Sequence, residues 1–103
     1  MVIYQYQQVG AGENKQLMEY VVPANIAMQC VSVICWGTAD GDFTLYKNGS
    51  PISGWRTSAS QPTIQTNFFN LIGLQPFNVI SLYGKQSEDT AQYLGCSVML
   101  EQL

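Results

Sequence analysis

Apolar and polar positions alternate in short runs along this chain, and turn signals interrupt them about every 8 to 15 residues, close to the spacing of an all-β domain. Val2 to Gln8 and Leu17 to Val22 read as the first two strands, separated by Gly10-Ala11-Gly12-Glu13-Asn14. Pro23-Ala24-Asn25 punctuates the second before the longest apolar run, Ile26 to Trp36. That run carries apolar side chains in both parities, with Ile26, Met28, Cys30 and Ile34 in one and Ala27, Val31, Val33 and Cys35 in the other. The pattern predicts a strand covered on both faces, the second by a neighbouring segment or another subunit.

Gly37 to Asp42 reads as a loop. Beyond it, Asn48-Gly49 between Phe43 to Lys47 and Pro51 to Trp55 predicts a tight hairpin, because both turn residues tolerate positive φ. Pro51 has no amide hydrogen, so it belongs at a strand start or on an edge. A polar loop from Thr57 to Pro62 leads to a strand from Thr63 to Phe69, then a turn-rich connection from Leu71 to Pro76. Phe77 to Tyr83 reads as an alternating strand and Lys85 to Gln92 as a charged, mobile stretch. Tyr93 to Leu100 closes the chain as a second strand apolar on both faces. About eight strands result, with no amphipathic helix, and the fold predicted is a single all-β domain, an antiparallel β-sandwich of jelly-roll type. Residues 1 to 14 are expected either as an N-terminal arm or as an edge strand.

The 103 residues fit one domain, and 47% hydrophobic residues supply its core. Charged residues are only 11%, against about 25% in an average domain, so eleven Gln and six Asn must carry much of the solubility. The net charge of −3 and the lack of any basic run argue against nucleic-acid binding. With no His, the His-based triads and dyads and His-ligated zinc are excluded. No apolar run approaches the 18 or more residues of a membrane helix, and the first residues lack a signal-peptide pattern, so a soluble product made in the cytosol is expected. Cys30, Cys35 and Cys96 form an odd set without a CxxC pair and read as reduced and buried, though a bridge from Cys96 to either of the others remains open.

Asp40-Gly41-Asp42 lacks the ligand spacing of a calcium loop and reads as a turn. Glu88-Asp89 places adjacent side chains on opposite sides of an extended chain, which does not suit paired-carboxylate chemistry. No catalytic residue, metal or cofactor is expected. The aromatics carry more information: Trp36 ends the long apolar run, and Trp55 and Tyr46 lie in or beside the hairpin, where exposed rings would stack on a sugar or anchor a protein interface. Arg56 adjoins Trp55 and is placed to stack on it or to pair with a partner's carboxylate. Core packing is the competing reading for each ring, and the expected one for Phe43, Phe68 and Phe77.

Ser87 to Tyr93 resembles the tyrosine-corner segment of an immunoglobulin variable domain, but Gly95 stands where that pattern requires Cys. A broader resemblance rests on Tyr20-Val21-Val22-Pro23-Ala24 before an apolar strand, Phe43 to Ser50, and Leu74 to Tyr83 before the closing strand. Together these are similar to small β-sandwich accessory proteins of tailed-phage virions, such as capsid decoration or cement proteins and neck- or fibre-associated jelly rolls. The resemblance implies a non-enzymatic structural role in the virion, as a homo-oligomer, a trimer favoured, bound to larger virion proteins, with neither nucleic acid nor membrane as partner. Scarce charge and strands apolar on both faces agree with self-association. The alternative is a carbohydrate-binding or receptor-adsorption module using Trp36, Tyr46 and Trp55.

Overall fold

The computed structural model describes the backbone of all 103 residues and every side chain except those of Phe69 and Asn70. Eight strands run in chain order: β1 (Val2–Val9), β2 (Asn14–Val21), β3 (Met28–Gly37), β4 (Gly41–Lys47), β5 (Ser50–Arg56), β6 (Thr63–Leu74), β7 (Val79–Gln86) and β8 (Gln92–Gln102). They form two four-stranded antiparallel sheets, sheet A in the order β1-β8-β3-β6 and sheet B in the order β2-β7-β4-β5. Pairing is nested around the β4–β5 hairpin, with β3 against β6, β2 against β7 and β1 against β8. The chain behaves as one long hairpin rolled until β3 meets β8 and β4 meets β7. This is the predicted jelly roll.

Local chemistry explains the innermost turn. Asn48 and Gly49 hold φ of 52° and 80°, the double positive φ of a two-residue hairpin loop. Asn48 also braces the turn against β7: its Oδ1 accepts from the Val79 amide at 2.8 Å, and its own amide donates to the Val79 carbonyl at 2.8 Å. Pro51 falls on β5, an edge strand, as its missing donor requires.

The core lies between the sheets. Leu94, Cys96, Val98 and Leu100 of β8 face Ile80, Leu82, Phe43 and Leu45 of sheet B, all essentially inaccessible to water. Each such aliphatic or aromatic side chain contributes about 1.5–3 kcal/mol on burial. One side of the sandwich is closed by Gln7, whose Nε2 donates to the Leu17 carbonyl at 2.7 Å from β1 to β2. The other is closed by Trp55 of β5 and Phe68 of β6, edge to face with centroids 6.1 Å apart.

Several expectations are revised. The mixed parity of Ile26 to Trp36 comes partly from a register break, while Ile34 and Trp36 do put apolar side chains on the outward face. A β-bulge between Cys30 and Ser32 resets the alternation, so Met28 and Cys30 point inward before it and Val33 and Cys35 after it. Strand β8, by contrast, keeps apolar side chains on both faces as expected, with Tyr93 and Met99 outward beside Ser97. Strand β6 continues through Leu71 to Leu74 where a turn was expected, because its far end pairs with Met28 to Cys30 after a register break. Phe77 is not in the core: it sits in the turn before β7 with φ of 69° and is 69% exposed.

The stretch from Lys85 to Gln92 begins as the end of β7, and Gln86 is buried. Its Nε2 donates to the Val9 and Thr90 carbonyls and its Oε1 accepts from the Glu88 amide, tying β1 to the β7–β8 loop. Strand β1 pairs with β8 from Val2 to Val9 at the edge of sheet A, and Asn14 already begins β2.

Candidate functional site

The nested topology leaves each sheet with one outward face. On sheet A, register aligns Val2, Tyr4, Tyr6 and Gln8 of β1 with Met99, Ser97, Gly95 and Tyr93 of β8, and these with Ser32, Ile34 and Trp36 of β3. Tyr6 stacks on Tyr93 at 5.3 Å, and Tyr4 leans on Trp36 at 5.4 Å. Tyr4 is 63% exposed, and Tyr6, Tyr93, Val2 and Met99 are also open to solvent. Thr63, Gln65 and Asn67 of β6 continue the face with uncharged groups. Among the described residues, Glu101 at its margin is the one charged side chain that the register places on this face.

Trp36 owes its position to Gly95. A Cβ at residue 95 would lie 2.4 Å from the Trp36 ring, so the indole lies flat over backbone. Serial pairing of rings across three strands thus gives an aromatic strip that no single segment of the sequence contains.

The outward face of sheet B is more polar. Tyr46 and Tyr83 meet edge to face at 5.3 Å. Beside them lies an open groove of 390 Å³ lined by Asn14, Gln16, Glu19, Gly49, Val79 and Ser81 as well as the two rings. Smaller depressions of 280 and 240 Å³ adjoin Asp40 at one end of the sandwich. There Arg56 Nε donates to Asp42 Oδ1 at 2.7 Å, which raises the guanidinium pKa, and both side chains are largely exposed. Solvent screens an exposed pair of this kind, so it trims a strand edge more than it builds a site.

The four sequence-nominated residues therefore occupy separate surfaces. Trp36 is on the face of sheet A and Tyr46 on that of sheet B, while Trp55 turns inward against Phe68 and the core. Arg56 pairs across β4–β5 with Asp42 instead of stacking on Trp55. The sequence alone does not distinguish Tyr4, Tyr6, Tyr93 and Tyr83, because their role depends on cross-strand register.

The three thiols are free and lie inside the sandwich. Burial pushes Cys30 and Cys96 up to about 12 and raises Cys35 further, with Cys96, its direct partner across β3–β8, adding to the shift. Protonated, enclosed thiols are poor nucleophiles and poor metal ligands. Among the described residues, no three side chains of His, Cys, Asp or Glu converge as a metal site.

No protein-family model matches the chain, and no curated protein matches it. Among solved structures, it is similar to the insecticidal delta-endotoxin Cry8Ea1 of Bacillus thuringiensis, with a TM-score of 0.56 and 9% identity. The match covers 95% of this chain and 19% of the toxin, so this chain spans about a fifth of that protein. At this identity the likeness is one of fold, and it agrees with the sandwich described above.

Proposed function

We propose that this chain is a non-enzymatic structural subunit that assembles through the outward face of sheet A. The observation that carries the reading is the aromatic strip in which Tyr4, Tyr6 and Tyr93 are open to solvent beside a half-buried Trp36, bordered by amides and hydroxyls. Tyr and Trp supply large contact area at low entropic cost, and a patch without charge has no desolvation penalty of ionic groups to overcome. A chain with 11% charged residues also has little self-repulsion to oppose association.

In its finer form the proposal is a homo-oligomer, a trimer favoured, acting as an accessory of a tailed-phage virion and bound to larger virion proteins. This form draws on the resemblance of the Tyr20 to Ala24, Phe43 to Ser50 and Leu74 to Tyr83 segments. The interface is tested by the double substitution Tyr6→Ser/Tyr93→Ser, followed by sedimentation. The proposal expects dissociation constants to rise at least about thirtyfold, the effect of removing two interface anchors of more than about 1 kcal/mol each. An unchanged assembly with the double variant folded would place the contact elsewhere and overturn the assignment.

A further inference from the structure

We infer that the groove on the outward face of sheet B is a binding site for a neutral oligosaccharide. This goes beyond the assembly reading and uses the opposite sheet, so either can fail without the other. The open groove measures 390 Å³, within the roughly 300–1,000 Å³ range of small-ligand sites. Tyr46 and Tyr83 stand edge to face in its wall and provide flat apolar surface.

The polar groups around the rings are those that read hydroxyls. The Glu19 carboxylate offers two acceptor oxygens, Asn14 and Gln16 supply amides, and Ser81 supplies a hydroxyl. Tyr83 Oη donates to Gln16 Oε1 at 3.0 Å, which commits the amide oxygen and fixes the NH2 as the group offered to a ligand acceptor.

The backbone is also adapted to this arrangement. In a regular strand Gln16 and Glu19, three residues apart, would face opposite sides. The register shift between Gln16 and Met18 turns Leu17 and Met18 both into the core and brings Gln16 and Glu19 out together.

Charge selects the ligand class. Glu19 is the one acidic or basic side chain in the lining, so phosphate, sulfate and carboxylate ligands meet repulsion there and no cation within the lining. Val79 is the sole aliphatic side chain in the lining, too little for a lipid tail or an apolar peptide. A polyhydroxylated neutral ring meets both requirements.

The test is a titration of isotope-labelled protein, followed by amide NMR, with neutral hexasaccharides of glucose, xylose, mannose and N-acetylglucosamine. At least one is expected to shift amides of residues 14–19, 46 and 81–83. Tyr46→Ala and the surface change Glu19→Gln should each weaken it about tenfold or more, while Trp36→Ala leaves it unchanged. No shift with any of the four at millimolar concentration overturns the inference. So does binding that follows Trp36 in place of Tyr46 and Glu19.

Discussion

Gly95 is a residue whose identity is dictated from across the sheet. Its missing side chain is the space that the Trp36 ring fills, and the ring in turn supports Tyr4. Gly95→Ala should lift the indole and cost about 1–3 kcal/mol, as overpacking does. Urea unfolding and Trp fluorescence check this together: a lowered midpoint with red-shifted emission is expected, and an unchanged spectrum would show that the ring does not rest there. The buried thiols give a second residue-scale prediction. Their folded pKa values lie above the ordinary 9.0, so the native state keeps protons that the unfolded chain releases. Their contribution to stability is full below pH about 9 and declines as pH rises toward 12. Denaturation midpoints at stepped pH should therefore fall above pH 9, less steeply in Cys96→Ala, and a thiol reagent at pH 8 should find no reactive Cys until the protein unfolds.

At the scale of the element, the informative features are the places where strand alternation breaks. Val31 is the inserted residue in β3: without it, Cys30 inward, Ser32 outward and Val33 inward would alternate regularly. Deleting Val31 should leave a folded protein with the same core residues. Deleting Ile34 instead would turn Cys35 out and Trp36 in, and should abolish cooperative unfolding. Circular dichroism melts of the two deletions distinguish them, and equal damage would contradict the bulge assignment. The same irregularity limits what the sequence reveals. Asn48-Gly49 carries its turn conformation in its own residue types and is legible locally, whereas a bulge is fixed by pairing with β8, some 70 residues away. Read without it, Met28 and Cys30 would face away from Val33 and Cys35, though all four point into the core. Phe77 misleads for a related reason, since its aromatic character suggests a core position while the turn before β7 holds it out at positive φ.

For the whole molecule, the nested pairing brings the two ends of the rolled hairpin together in sheet A. That is why its outward face gathers rings from positions 4, 6, 36 and 93. Eight strands and their jelly-roll type were legible from turn spacing and period-two patterning. The aromatic strip was legible only as Trp36, because Tyr4, Tyr6 and Tyr93 become neighbours through register alone. Two outward faces of different character follow, one aromatic with Glu101 at its margin as its one charged side chain, the other grooved and polar. The central claim is that the first is an interface, and the most direct measurement is the solution mass of the chain by light scattering over a range of concentrations. The account predicts a defined oligomer, a trimer in its specific form, that dissociates only on dilution or on Tyr6→Ser/Tyr93→Ser. A mass of 11.4 kDa at every concentration would contradict it.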